Sequence, residues 1–135
     1  MDNQKRMEVT FGSFIREKRL QKGKNLRTLA KEIGIAPAYM CDIENDHRYP
    51  PEIDKLEKIA SLLSLSEEEK NEMFDLAGNG KKYSVSPDLS QYVMENQNVR
   101  IALRLARDND MGEEEWKKII KILEEEKNRR MIWLG

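Results

Sequence analysis

The sequence lacks most of what builds a chemical centre. Its 135 residues hold one cysteine, Cys41, and one histidine, His47. One thiol makes no disulfide framework. One thiol and one imidazole make no structural zinc site, so no metal is expected. No apolar run approaches the roughly 18 residues of a membrane helix. No basic-then-apolar leader opens the chain, which leaves the cytoplasm as the expected compartment. No segment alternates apolar and polar residues as a half-buried strand does. Neither an internal repeat nor a low-complexity tract is present. No nucleophile–base pair or phosphate loop is legible, and Gly78-Asn79-Gly80-Lys81 lacks the spacing and the Ser/Thr after lysine that such a loop needs. The expectation is a chain with no catalytic residue and no cofactor.

What is abundant is charge. Charged residues make up 36% of the chain and apolar ones 39%. The first is high for an ordinary domain and the second low. Helices with one apolar stripe and a charged outer face produce that balance. The net charge of −1 argues by itself against a polyanionic partner, but its distribution is uneven. Residues 1–40 carry nine Lys/Arg against four Asp/Glu, and residues 41–80 carry four against eleven. A basic segment in a near-neutral chain still presents a local positive face. Its members are Arg16, Lys18, Arg19, Lys22, Lys24, Arg27 and Lys31.

Periodicity predicts an all-α chain. After a loose end at 1–10, Thr10 caps a helix over about Phe11–Lys22, with Phe11, Ile15 and Leu20 as its face and Phe14 beside it. Gly23 stops it. Asn25 caps Leu26–Ile33, whose Leu26, Leu29, Ala30 and Ile33 follow i, i+3, i+4, i+7 spacing. Gly34 ends that helix. Pro37 sits at the favoured first position of the next, Pro37–Asn45, with Met40 and Ile43 inward and Cys41 a small packed side chain. A fourth helix over Glu52–Leu63 carries Ile53, Leu56, Ile59, Ala60 and Leu63. Ser66 and Glu69 form a capping box for a fifth that ends at Gly78. Residues 79–87, rich in Gly, Ser and Pro, read as a linker. Beyond it come a short helix from Ser86-Pro87, one over Val99–Arg107 capped by Asn98 with Val99, Ala102, Leu103 and Ala106 inward, and a last one from Gly112. Glu113–Glu115 at its start and Lys127, Arg129 and Arg130 at its end suit the helix dipole. The expected domains are 11–78 and a helical extension over 88–135.

Two short helices joined by a glycine turn at 25–45, at the end of the basic segment, have the form of a helix-turn-helix, whose second helix enters the DNA major groove. Gly34 supplies the left-handed backbone of the turn, and Ala30 the small residue where the helices cross.

The motifs resemble a known family. Phe11-Gly12-x-x-Ile15-Arg16-x-x-Arg19, Gly23, Leu29-Ala30-x-x-Ile33-Gly34-Ile35, Tyr39-x-x-Asp42-Ile43-Glu44, Arg48-x-Pro50 and Leu56-x-x-Ile59-Ala60 are similar to the Cro/cI-type, or XRE, helix-turn-helix domain over roughly residues 11–77. The resemblance implies a five-helix lambda-repressor-like domain and a sequence-specific regulator that binds double-stranded DNA as a homodimer. It implies a structural ion pair between Arg19 and Glu44. Asn25 takes the position that caps helix 2 and meets phosphate, with Leu26 beside it. Ala36, Pro37, Ala38, Tyr39 and Asp42 take base-facing positions. Asn45, His47 and Arg48 fall in a loop that meets phosphate. The chain departs from the family in having no Gln, Arg or Lys on its recognition helix, so bidentate guanine readout is absent from that helix. Positioning then falls to Arg16, Lys24, Arg27, His47 and Arg48, and DNA shape carries much of the specificity.

The extension carries Trp116, Ile120, Leu123, Ile132, Trp133 and Leu134. These either fold back on Phe14 and the linker or meet another chain. A second copy supplies the two half-sites an operator needs. The alternative is an antitoxin or mobile-element regulator whose main task is binding a protein partner through 88–135.

Overall fold

A computed structural model describes residues 8–80 and 84–134, with the side chain of Leu134 outside what is described. Among these residues there are eight helices and no strand: α1 (Phe11–Gln21), α2 (Leu26–Ile33), α3 (Pro37–Glu44), α4 (Ile53–Leu62), α5 (Glu67–Asn79), α6 (Pro87–Glu95), α7 (Gln97–Asp108) and α8 (Glu113–Leu134). The fold is all-α, as expected. No described helix is long and apolar enough to cross a membrane. The chain divides into two compact units between Tyr92 and Val93. Part of the expected linker, residues 81–83, lies outside the described residues. The segment after it belongs with the first unit: a Cβ on buried Gly78 would meet the Ser84 carbonyl oxygen at 3.1 Å, and the Ser86 hydroxyl donates to Asp75 Oδ1 at 2.5 Å.

The first unit is built around one core. Phe11, Phe14 and Ile15 of α1, Leu29, Ala30 and Ile33 of α2, and Met40 and Ile43 of α3 enter it. Leu56, Ile59 and Ala60 of α4, Leu63 after it, and Met73, Phe74 and Ala77 of α5 complete it. Fully burying a side chain the size of Leu, Ile, Met or Phe contributes about 1.5–3 kcal/mol. α1 packs on α3 and α5, and α2 on α3 and α4.

The helix ends follow local chemistry. Thr10 and Ser13 form a capping box at the start of α1, and Ser66 and Glu69 one at the start of α5. α2 ends on Gly34 at φ 92°, where the Ile35 N–H donates to the Ala30 carbonyl and the Gly34 N–H to that of Lys31. This is the Schellman arrangement. α3 and α4 end the same way on residues that are not glycine, Asp46 at φ 62° and Ser64 at φ 53°.

Five expectations are corrected. Leu20 is 62% exposed while Phe14 is fully buried. Nine residues after Phe11, at about 100° per residue, Leu20 points away from the face that Phe11 buries, and Arg19 takes the inward position. Ile53, the first residue of α4, is exposed, and so is Cys41 on the outer side of α3. α7 starts at Gln97 rather than behind Asn98. Of its four expected inward residues only Ala106 is buried; Val99 is half-buried, and Ala102 and Leu103 are exposed.

α1 and α3 are joined by a close approach and an ion pair. A Cβ on Gly12 would lie 2.5 Å from the carbonyl oxygens of Ile43 and Glu44 and 2.8 Å from Asp46 Oδ1. The Gly12 N–H donates to Asp46 Oδ1 at 3.0 Å, and the Thr10 hydroxyl to Asp46 Oδ2 at 2.6 Å. Arg19 grips Glu44 with two parallel bonds, Nε to Oε2 at 2.6 Å and Nη2 to Oε1 at 2.9 Å. Its third donor reaches the Lys24 carbonyl at 3.0 Å. The side chains are 10% and 1% exposed. The hydrogen bond from Arg19 to Glu44 raises the arginine pKa further above its ordinary value. On the far side of α1, Lys18 Nζ donates to Glu69 Oε2 at 2.9 Å. The Ser66 N–H and Lys18 together lower the Glu69 pKa.

Three outcomes are expected. Glu44→Ala strands a buried guanidinium and costs about 3–5 kcal/mol, read as a loss of urea midpoint; a double Arg19→Met/Glu44→Leu variant is less destabilised than the single change. Gly12→Ala forces backbone apart and costs about 1–3 kcal/mol or more, lowering the melting temperature by about 4–8 °C per kcal/mol. Because the folded pKa of Glu69 is depressed, its contribution is present above the ordinary carboxylate range and is lost as pH falls through the folded value. The melting-temperature gap between the wild type and Glu69→Gln therefore narrows on acidification.

Candidate nucleic-acid interface

The turn at Gly34 and the proline at the first position of α3 set the orientation of that helix. Met40 and Ile43 are buried beneath it, while Ala36, Pro37, Ala38 and Tyr39 are exposed on its N-terminal half. Glu44, one turn beyond Met40, is held by Arg19, so the C-terminal end of α3 is fixed to α1. The pairing of Arg19 and Glu44 is that which the family resemblance implied. The outer face of α3 is small and apolar at its start and carries Tyr39 and half-exposed Asp42 further on.

The expected contact residues fall into distinct groups. Arg16 Nη2 donates to Asn45 Oδ1 at 2.7 Å, and its Nε lies 3.5 Å from Glu44 Oε1. This places a half-exposed guanidinium at the C-terminal end of α3. Asn25 Oδ1 accepts from the Thr28 N–H at 2.7 Å and so caps α2. Lys24 Nζ is paired with Glu32 Oε1 at 2.7 Å. Arg27 and Lys31 are exposed on α2. Leu26 is packed against the core rather than presented outward, because it opens the apolar stripe that continues at Leu29, Ala30 and Ile33. The His47 N–H donates to the Asp42 carbonyl at 2.8 Å and closes α3, leaving the side chain exposed.

Arg48 returns onto the helix. Its guanidinium carbon stands 4.8 Å from the centre of the Tyr39 ring, and its Nε lies 3.5 Å from Asp42 Oδ2. Tyr39, Asp42 and Arg48 thus form one cluster, joining a residue of the following loop to the exposed face of α3. Among the described residues no group of three His, Cys, Asp or Glu is placed to hold a metal ion.

One residue that the sequence did not mark as part of this surface, Asp46, holds it together. Asp46 ends α3 in the left-handed conformation and caps α1 through Gly12 and Thr10. The available signal was Asn45-Asp46 directly after Glu44, the last residue of α3, since Asn and Asp tolerate left-handed backbone. The reach of its carboxylate to Thr10 and Gly12 spans more than thirty positions and has no local signature.

In the second unit, Trp116, Ile120 and Leu123 are exposed on one side of α8, and Ile132 and Trp133 are 79% and 84% exposed. Phe14 lies fully buried in the first unit's core. Arg100 donates to the carbonyls of Val93 and Met94, and Arg107 pairs with Asp108 at 3.0 Å, so two of the three arginines on that helix serve local roles. Leu134 has its side chain outside the described residues.

A buried helix pair with a glycine turn, backed by three further helices and presenting the second helix outward, defines a helix-turn-helix domain of the Cro/cI, or XRE, type. The sequence model described as "Helix-turn-helix" matches residues 15–70. The chain is 36% identical over 56 residues to the HTH-type transcriptional regulator SinR of Bacillus subtilis (strain 168), a stretch covering 42% of this chain and 50% of that protein. SinR of Bacillus licheniformis gives the same identity and coverage. The ImmF control region 10 kDa protein of Bacillus phage phi105 is 39% identical over 55 residues, 41% of this chain and 60% of that protein. The chain therefore spans half to three-fifths of the length of these relatives. No solved structure matches it.

Proposed function

We propose that the protein is a cytoplasmic, sequence-specific regulator of transcription that binds double-stranded DNA as a homodimer and represses. The observation that carries this reading is the helix-turn-helix itself: α3 presents an exposed N-terminal half while Met40, Ile43 and the Arg19–Glu44 pair hold it from behind. α3 enters the major groove. Ala36, Pro37 and Ala38 bring small surfaces against base edges, where Ala38 suits a thymine methyl group. Asn25, Arg27 and Lys24 at the start of α2, with Arg16, Asn45 and His47 near the end of α3, contact phosphate and set the register. The role is binding and involves no cofactor. The names of the relatives, a transcriptional regulator and a phage control-region protein, support the same class.

In this reading the second unit supplies the two-fold contact through Trp116, Ile120, Leu123, Ile132, Trp133 and Leu134, which brings two copies of α3 to two half-sites. The exposure of Ile132 and Trp133 also favours a second reading, a mobile-element regulator or antitoxin whose extension binds another protein. Light scattering separates them: a dimer that Trp116→Ala with Leu123→Ala dissociates supports the first, and a monomer with the stripe open supports the second.

The primary test is binding to DNA from upstream of the protein's own gene, against scrambled DNA, across a salt series. The expected result is specific binding that weakens with salt. Arg27→Ala is expected to weaken binding to both DNAs alike and to reduce the salt slope by about 1. An unchanged affinity and slope would remove Arg27 from the phosphate contacts.

A further inference from the structure

The outward face of α3 has no Arg, Lys or Gln, yet a guanidinium lies on it. Arg48 belongs to the loop after the helix and is carried back over the ring of Tyr39, 4.8 Å from its centre. Tyr39 and Asp42 are one helical turn apart, and Asp42 Oδ2 takes the Nε side of the same guanidinium at 3.5 Å. We propose that Arg48 is the residue that reads a guanine in the major groove, with Tyr39 and Asp42 as its positioning residues. This rests on the DNA-binding reading above and replaces the phosphate contact that the sequence position of Arg48 suggests.

The argument is geometric. An arginine recognises guanine through two parallel N–H donors to O6 and N7. Asp42 occupies the Nε side, which leaves the two terminal nitrogens for the base. The Arg48 side chain remains 54% exposed, so those nitrogens are open to a ligand. A free arginine loses much rotamer freedom when it docks. Here the aromatic face below and the carboxylate at its side restrict it beforehand, and a cation over a tyrosine ring is attractive in its own right. A phosphate contact needs none of this, because a point charge on a flexible loop serves as well. The cluster also accounts for an acidic residue on a surface that faces a polyanion. The Asp42 charge is matched by Arg48 and does not meet phosphate uncompensated.

The test enriches binding sites from a random duplex library, using the full chain as wild type, Arg48→Ala, Arg48→Lys, Tyr39→Phe, Tyr39→Ala and Asp42→Ala, each checked for unchanged helical content and melting temperature. The wild type is expected to select one fixed guanine per half-site. Replacing that base by 7-deazaguanine, which removes the N7 acceptor, or by adenine is expected to lower wild-type affinity about 5- to 150-fold. Arg48→Ala is expected to bind the guanine and 7-deazaguanine duplexes equally while keeping the wild-type salt slope on scrambled DNA, and Arg48→Lys to narrow the difference. Tyr39→Phe keeps the ring and the preference; Tyr39→Ala and Asp42→Ala narrow it. Uniform weakening by Arg48→Ala on every sequence, with the slope reduced by about 1, would make Arg48 a phosphate contact and overturn the proposal. A guanine preference that survives Arg48→Ala overturns it too. A wild type that enriches no sequence instead defeats the regulator reading, and this proposal falls with it.

Discussion

The position of α3 depends on the buried pair between Arg19 and Glu44. Two charges removed from water are tolerated only when their hydrogen bonds are met. Here they are: Arg19 spends two donors on the carboxylate and a third on the Lys24 carbonyl, and no buried side-chain nitrogen or oxygen among the described residues lacks a partner. An apolar contact in the same place resists separation but permits sliding. A bidentate pair fixes a direction as well as a distance. With Glu44 held from behind, the outward half of α3 is held in orientation too.

Gly12 and Asp46 act on the same joint. Without a side chain at Gly12, the start of α1 comes against the last carbonyls of α3. Asp46 then serves both helices: its backbone ends α3, and its carboxylate satisfies N-terminal groups of α1. A negative charge at a helix N-terminus is favoured by the helix dipole. The ends of α3 are therefore specified from both sides, by the glycine turn before it and by Asp46 after it, while the exposed Ala36, Pro37 and Ala38 lie outside the core.

A small, weakly polar helix face is compatible with a nucleic-acid interface. Positive charge sits around α3 rather than on it, at Arg16, Arg27 and Lys31, and the Arg48 guanidinium is delivered from the next loop. The second unit follows a different logic. Its helices bury little and keep their charges in local pairs, such as Arg107 with Asp108 and Arg129 with Glu126. Many of its large apolar residues, Ile132 and Trp133 among them, remain exposed.

Much of this was legible along the chain. Helix-period apolar spacing, Asn25, Gly34, Pro37 and the Ser66–Glu69 box specify element type and boundaries because their causes are local: capping, left-handed backbone and the missing N–H of proline act within four residues. The bounds of α2 follow directly. The family motifs carried the Arg19–Glu44 pair. Some differences were themselves local: the helix angle alone turns Leu20 from the face of Phe11, and Leu26 opens the apolar stripe of its own helix. Leu20 looked like part of a stripe that Arg19 in fact completes. Cys41 looked packed but faces outward. Leu26 was counted with the contact residues but belongs to the core edge.

By itself, then, the sequence determined an all-α chain, its first five helices, and the turn that makes two of them a helix-turn-helix. Each follows from interactions within about one helical turn. Only the tertiary structure decided that Asp46 caps α1, that Gly12 must be bare, and that Arg48 stacks on Tyr39 beside Asp42. Those outcomes depend on which atoms meet across a packed joint or a returning loop, and no local rule of spacing contains that information.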